Sequence, residues 1–185
     1  MKKRVIIVTD GDLIAKEAVE EASRRIGGRC ISMSAGNPTP LNGSDIIELI
    51  KRARYDPVVV MVDDRGNTGK GKGEEAMGYI IKSPEIELLG VIAVASNTKD
   101  VKGIKVNCSI DKYGNLTKKA VRKNGDIKKD KIIKGDTVDI LNDIHVPIIV
   151  GIGDPGKMDG RDSLIIGAPV ITMAMQEIIK RHDGI

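Results

Sequence analysis

Hydrophobic residues along this chain follow two alternating patterns, continuous runs and helical spacing. The continuous runs, which predict buried strands, lie at residues 4–9, 29–34, 58–62, 88–96 and 146–153. The helical spacing, which predicts helices between them, lies at residues 13–27, 44–54, 73–82 and 169–182. Buried strands that alternate with helices indicate a mostly parallel sheet covered on both faces. We therefore expect a three-layer α/β/α fold, Rossmann-like or flavodoxin-like, in a single domain over residues 1–185.

The pattern changes between residues 101 and 135, where apolar and polar residues alternate with period two. Two turn signals, KYGN at 112–115 and KNGD at 123–126, separate short lysine-rich runs. Glycine beside asparagine or aspartate is typical of tight turns between antiparallel strands. We predict that residues 101–135 form a lysine-rich antiparallel β-hairpin insertion in the parallel fold.

Lysine and arginine are concentrated in this same part of the chain. Residues 99–134 hold twelve Lys or Arg against four Asp, a net +8 in a chain of net charge +4, so the remaining residues carry −4. Such a segment is either a solvated surface that aids solubility or a docking surface for anionic lipid or an acidic partner. Only Tyr113 could stack on a base here, so no nucleic acid is expected as a partner. The candidate docking residues are Lys118, Lys119, Arg122, Lys123, Lys128 and Lys129.

The rest of the composition indicates which residues build the core and in which kind of compartment the protein is found. With no Phe, no Trp and three Tyr, the core must be built from aliphatic residues. Cys30 and Cys108 are far apart and form no CxxC pair, which favours reduced core cysteines in a cytosol-like compartment. Asp10 ends the first apolar run before a signal-peptide core, and no run reaches the ~18 to 20 apolar residues of a membrane span. We expect a soluble protein that could still dock on a membrane surface.

Polar and glycine-rich loops follow the predicted strands at TDGD, SAGNPT, the long loop 63–75, ASNT and GIGDPGKMDGRD. In open α/β sheets, ligands bind at the carboxyl ends of the strands, where such loops converge. The alternative is that these residues are only the turn and cap residues that short connections require. The candidate ligand-binding residues are Asp10, Asp12, Ser34, Gly36, Asn37, Gly66, Gly69, Lys70, Gly71, Lys72, Asp154 and Lys157.

The loop 63–75 nearly matches a phosphate-binding loop, but Gly73 stands where that motif has Ser or Thr. Its four acidic residues outnumber its three basic ones, which argues against a polyphosphate ligand. Adjacent carboxylates suit a hard divalent cation such as Ca²⁺ or Mg²⁺, so Asp63 and Asp64 are candidate metal ligands. Helix or turn capping is the alternative for this pair. A small anionic ligand that carries a cation would use the lysines of these loops as well.

Candidate catalytic residues are few. The two histidines, His145 and His182, support neither a catalytic triad nor a zinc site. A toprim-type phosphotransfer site also joins an acid after one strand to an acidic pair after a later one. Here Thr9 or Asp10 stands in place of its Glu, and Asp63-Asp64 replaces its D-x-D. We predict a protein without catalytic activity, and keep a binding module or a phosphotransfer-type enzyme as the alternative.

Several of these segments together carry a family resemblance. They are RVIIVTDGD, GGRCISMSAGNPT, the DD-x-G-x-x-G-x-G-x-G-E loop, LLGVIAVAS, GDTVDIL and VPIIVGIGDPGKM. In this combination the chain resembles the family of the soluble AE component of the stage V sporulation A (SpoVA) locus of endospore-forming bacteria. The resemblance spans roughly residues 4 to 160, while the loop 65–72 and the lysine-rich hairpin are more individual.

This resemblance implies a part in sporulation and germination, in connection with the movement of calcium dipicolinate by the SpoVA system. The implied partners are other SpoVA proteins or the surface of the inner spore membrane. The implied location is the forespore cytoplasm or the periphery of that membrane. The family supplies no established catalytic residue, and the oligomeric state, including a homo-oligomer, stays open.

Overall fold

A seven-stranded sheet and four helices form the framework of the computed structural model, which describes residues 1–66 and 69–184. The strands are β1 (Lys3–Val8), β2 (Arg29–Cys30), β3 (Val58–Met61), β4 (Ile86–Val94), β5 (Ile104–Lys105), β6 (Cys108–Ile110), β7 (Leu116–Thr117), β8 (Ile132–Ile133) and β9 (Ile149–Ile152). The helices are α1 (Leu13–Arg25), α2 (Gly43–Arg52), α3 (Lys72–Lys82) and α4 (Pro169–His182).

The sheet has the strand order β2-β3-β1-β4-β9-β6-β7, and all its pairings are parallel except that of β6 with β7. One aliphatic core packs α1 and α4 on one face, and a second core packs α2 and α3 on the other. The predicted three-layer α/β/α fold is therefore confirmed. Its strand order differs from the Rossmann order 3-2-1-4-5 and the flavodoxin order 2-1-3-4-5, because β1 pairs with β3 and β4 while β2 lies at the edge.

The second strand is shorter than the apolar run at 29–34 predicts. It ends at Cys30, and Ser32–Ser34 form a 3₁₀ turn. The Ser34 hydroxyl donates to the Ile31 carbonyl (2.6 Å) and accepts from the Met61 amide (2.9 Å). The Ser34 hydroxyl thus takes the place of the backbone carbonyl to which this amide of β3 would donate if β2 were longer. Side-chain oxygens of serine compete with backbone pairing in this way.

The insertion contains both predicted turns. Gly114 and Gly125 occupy the left-handed region, with φ of 81° and 80°, and each turn connects antiparallel chain segments. The strands β5 and β8 pair antiparallel at the base of the insertion. One pairing was not expected: β6 lies parallel to β9, so the insertion extends the main sheet rather than standing apart from it.

The helix α4 begins at a buried carboxylate. Asp162, fully buried, accepts hydrogen bonds from the Val170 amide (2.7 Å) and the Ile171 amide (3.2 Å). Its burial raises the pKa of the carboxyl group to about 6, although these two hydrogen bonds act in the opposite direction. Within the described ranges, no helix is both long and apolar enough to cross a membrane.

Candidate functional site

The carboxyl ends of β1, β3, β4 and β9 meet at one edge of the sheet, which we call the rim. Within the strand order, the chain goes from β1 to β2 in one direction, and from β4, which lies next to β1, toward β9 in the opposite direction. Such a reversal of direction between adjacent strands opens a crevice, and open α/β sheets bind ligands in this crevice. The loops that carry the sequence-predicted candidates therefore surround a crevice typical of a binding site.

Three of the predicted residues converge at this rim. Asp10, Asp12 and Asp154 each place a carboxylate oxygen within 4.8 Å of the other two, and we call this group the carboxylate cluster. Asp10 and Asp12 follow β1, whereas Asp154 follows β9, more than 140 positions later in the chain. Carboxylate oxygens in such a group are the ligands that Ca²⁺ and Mg²⁺ prefer.

Asp10 is the buried member of the carboxylate cluster, with 9% of its surface exposed. One of its oxygens, Oδ1, accepts from the amides of Gly11 (2.7 Å) and Asp12 (3.3 Å). Burial raises the pKa of Asp10 well above its ordinary value, and the charges of Asp12 and Asp154 raise it further. An ionised Asp10 is therefore costly here unless a positive charge is near.

The other two members are held in place through one oxygen each. Asp12 caps α1 by accepting from the Ala15 amide (2.8 Å), and Asp154 accepts from the Gly156 amide (2.8 Å). Across residues 1–66 and 69–184, no hydrogen bond reaches the second oxygen of Asp10, Asp12 or Asp154. The cluster thus combines fixed orientation with three second oxygens that accept no hydrogen bond among the described residues, of which that of Asp154 lies 3.6 Å from the Lys123 ammonium.

The predicted metal pair is used differently. Both oxygens of Asp64 bind the start of α3, since Oδ1 accepts from the Gly73 amide (2.6 Å) and Oδ2 from the Glu74 amide (3.1 Å). Asp63 accepts from the Arg65 amide (2.8 Å), and burial raises its pKa to about 6. Asp64 therefore acts as a helix cap, the alternative that the sequence left open, and Asp63 lies near enough to raise the pKa of Asp10.

The lysines predicted to bind an anionic ligand lie on different surfaces of the molecule. Lys70 lines an open groove between α2 and α3, and Lys72 lines a neighbouring one with Tyr79. Lys157 is exposed on the 3₁₀ turn Pro155–Lys157. Lys70 and Lys72 therefore line grooves beside α3, whereas the backbone amide of Lys157 donates to the carbonyl of Asp154, a member of the carboxylate cluster (2.9 Å).

The other predicted residues mainly have structural roles in the connecting loops. Ser34 joins the end of β2 to β3, and Asn37 is exposed in the loop that follows. Gly36 and Gly71 are sites of close approach, because an added Cβ would lie 2.6 Å from Pro40 Cδ and 2.2 Å from Asp64 Oδ1, respectively. Gly66 and Gly69 have open space around them.

One residue at the rim, Lys123, was predicted from the sequence to have a different role. Lys123 belongs to the insertion and was predicted as a docking residue, yet its Nζ lies 3.6 Å from Asp154 Oδ2. Its carbonyl also accepts from the Asp154 amide (2.8 Å). No local pattern distinguishes Lys123 from the lysines around it, because the contact depends on the pairing of β6 with β9.

The remaining docking candidates divide by exposure. Lys118, Lys119, Arg122 and Lys129 are exposed and, in the part of the chain that the structure describes, form no ion pair. Lys128 is partly buried and binds Asp130 (3.2 Å) and the Ile132 carbonyl (2.6 Å). Four of the six candidates thus form an exposed basic surface, which we define by those four residues.

Comparison with known proteins adds one match. Neither the curated proteins nor the solved structures contain a match to this chain. A family model described as stage V sporulation protein AE1 (SpoVAE) matches residues 4–182 of the 185. This range includes the sheet except for Lys3, the four helices and the carboxylate cluster. The chain therefore belongs to the SpoVAE family of stage V sporulation proteins.

Proposed function

We propose that the protein is an accessory component of the spore SpoVA system that acts in connection with the movement of calcium dipicolinate, in sporulation and germination. Its contribution would be to bind a divalent cation at the rim. Family membership supports the role in sporulation. The observation that carries the cation proposal is the convergence of three oriented carboxylates from the ends of β1 and β9.

The dimensions of the carboxylate cluster suit a calcium ion. Oxygen ligands lie about 2.3–2.6 Å from Ca²⁺, so two oxygens on one ion are at most about 5 Å apart. The carboxylate oxygens of Asp10, Asp12 and Asp154 lie within 4.8 Å of one another, so one ion could contact all three with little movement. Burial and, after it, the charges of Asp12 and Asp154 raise the pKa of Asp10, and a bound cation would offset both effects.

Thermal unfolding with Ca²⁺ or Mg²⁺ tests this proposal. A ligand that binds the folded state adds RT ln(1 + [L]/Kd) to its stability, about 2.7 kcal/mol at 100 Kd, or roughly 5–10 °C in Tm for a chain of this size. We expect Asp154→Asn to abolish this shift. Asp111→Asn is the matched control, because Asp111 is a buried aspartate in the hairpin turn and is not in the cluster. The proposal fails if neither ion shifts the wild-type Tm, or if Asp154→Asn responds as wild type does.

A second candidate function is docking on membrane components, either other SpoVA proteins or the inner spore membrane facing the forespore. The exposed basic surface of Lys118, Lys119, Arg122 and Lys129 supports it, because these charges have no ion-pair partner within the described residues. Each lysine or arginine near an anionic membrane contributes about 1 kcal/mol of attraction, which salt screens.

Binding to lipid vesicles tests the docking function separately from the cation proposal. Changing the four residues of the exposed basic surface to Gln should weaken binding to phosphatidylserine or phosphatidylglycerol vesicles by about 100-fold or more at low salt. The control removes the same charge elsewhere on the exposed surface, at Arg52, Arg54, Lys82 and Lys180. Equal loss of binding in both variants would indicate a nonspecific effect of net charge and would count against the docking surface.

A further inference from the structure

Three consecutive aliphatic side chains are exposed on a turn between β9 and α4. Leu164, Ile165 and Ile166 form a 3₁₀ turn in which 48%, 94% and 55% of their respective surfaces are exposed. We call it the aliphatic turn. A contiguous group of large apolar side chains on the surface commonly marks an interaction site, whereas single exposed residues need no explanation. The aliphatic turn is therefore a candidate contact site that neither proposed function uses.

The backbone on both sides of the aliphatic turn is fixed. Before the turn, the buried carboxylate of Asp162 accepts from the amides of Val170 and Ile171 at the start of α4. After it, the Gly167 amide donates to the Leu164 carbonyl (2.9 Å), and Gly167 adopts a left-handed φ of 83°. Because both ends are held, the three aliphatic side chains project from the surface instead of folding onto the core.

A groove on the opposite face of the sheet has the complementary shape. The aliphatic turn packs against α1, whereas this groove lies between α2 and α3, on the other side of the sheet. The groove has a volume of about 760 Å³, within the range of protein binding sites. Its apolar lining is provided by Ile47, Gly78, Tyr79, Pro84 and Ile140. Because Gly78 has no side chain, the groove reaches the backbone of α3 at this position.

The charges around the two surfaces are opposite in sign. Four basic and two acidic residues lie beside the aliphatic turn, a net +2, namely Lys157, Arg161, Arg24, Arg25, Asp159 and Glu21. Four acidic residues and two lysines line the groove, namely Glu48, Glu74, Glu75, Glu85, Lys70 and Lys82. Lys51 binds Glu48 (3.1 Å) and Glu85 (2.9 Å), which leaves a net −1 at the groove. Complementary charges of this kind favour contact between the two surfaces.

We propose that the aliphatic turn of one molecule enters the groove between α2 and α3 of a second copy of this chain. A pair joined in this way leaves one turn and one groove free, so further copies would join head to tail. A lipid bilayer would cover the turn but not the concave groove, whereas a second copy covers both. Three aliphatic side chains bury much less than the about 800 Å² per partner of a stable complex, so the association should be weak and depend on concentration. The contact requires neither a cation at the rim nor the exposed basic surface.

A tryptophan reporter detects burial of the aliphatic turn, because the chain contains no Trp. The emission of Ile165→Trp should shift to shorter wavelength as the protein concentration rises, and sedimentation velocity of wild type should show the matching increase in mass. The turn variant, Leu164→Ser with Ile165→Ser, should weaken self-association at least about tenfold, because burial of one aliphatic side chain contributes that factor or more. The matched control is Met33→Ser with Tyr55→Ser, since both residues are exposed hydrophobics beside β2, and it should associate as wild type does.

Mixing two variants tests the head-to-tail arrangement. The groove variant, Glu48→Arg with Glu75→Arg, places bulk and positive charge at the groove, so it should not associate with itself, and neither should the turn variant. An equimolar mixture of the two should form pairs and nothing larger, since one variant keeps its turn and the other keeps its groove. Recovery of association in the mixture also shows that both variants are folded.

Several results would overturn this proposal. Wild type that stays monomeric at the highest concentration reached, or that associates as strongly as the turn variant, would show that the aliphatic turn does not bind a second copy. A mixture that stays monomeric, although both variants unfold at the wild-type Tm, would rule out the groove as its site. Quenching of the Ile165→Trp emission by brominated phosphatidylglycerol vesicles, without a shift that depends on protein concentration, would assign the turn to a lipid surface instead.

Discussion

Replacing Asp10 by Asn should make the ligand-free protein more stable, although Asp10 is buried and hydrogen-bonded. The repulsion within the carboxylate cluster is the reason. Two charges 4.8 Å apart interact by about 3.5 kcal/mol at an effective dielectric constant of 20, and by about 1 kcal/mol where water screens them. Because Asp12 and Asp154 are partly exposed, we take about 1 kcal/mol for each pair.

A weaker acceptor offsets part of this gain. While Asp10 is ionised, the amides of Gly11 and Asp12 donate to a charged oxygen in wild type and to a neutral one in the variant, and this difference costs about 1 kcal/mol. The net expectation for Asp10→Asn at pH 7.5 is a gain of about 1 kcal/mol in the free energy of unfolding. For a chain of this size, that raises Tm by about 2–4 °C. With saturating Ca²⁺ the order should reverse, because only wild type would gain from binding.

The pH dependence gives this prediction a specific signature. Since the folded-state pKa of Asp10 is raised, wild type gains stability as the pH falls from that raised pKa toward the unfolded value of about 3.9. The variant lacks this gain, so its advantage over wild type should shrink between pH 7.5 and pH 4.5. Calorimetry at both pH values without divalent cations measures it, with Asp111→Asn as control. A variant that is less stable than wild type at pH 7.5, or an advantage that does not change with pH, would refute the electrostatic reasoning.

Three further substitutions test other parts of the structure. Asp64→Ala should lower the free energy of unfolding by about 1–2 kcal/mol through the loss of a helix cap, and it should leave the Ca²⁺-dependent shift in Tm intact; loss of that shift would instead make Asp64 a ligand. Gly11→Ala should cost about 1–3 kcal/mol in urea unfolding, because its Cβ would lie 2.2 Å from the Gly36 carbonyl oxygen, whereas Gly69→Ala, in open space, should cost much less. Wild type should also gain about 2 kcal/mol as the pH falls from about 6 to about 4, because the raised pKa of Asp162 favours its protonated form in the folded state; Asp162→Asn should remove this gain, and an unchanged pH profile would contradict the role of its burial.

The rim candidates could be predicted because parallel strands carry their loops at a common edge. Asp10, Asp12 and Asp154 were selected on that rule, and the structure brings their carboxylates together. The same rule selected Lys70 and Lys72, which line grooves beside α3, since it predicts which end of the sheet a loop occupies and not the direction of its side chains. In a long loop, the direction of each side chain is decided by how the loop packs against the rest of the protein.

The amino-acid sequence by itself determined the elements and the layers. Strand and helix periodicity and the glycines of the two hairpin turns depend on neighbours within a few positions, so they can be read locally. Only the tertiary structure decided the strand order, the parallel pairing of β6 with β9, and therefore the place of Lys123 beside Asp154. That contact depends on which apolar surfaces pack best across the whole sheet, and the energy of such packing is shared among residues far apart in the chain.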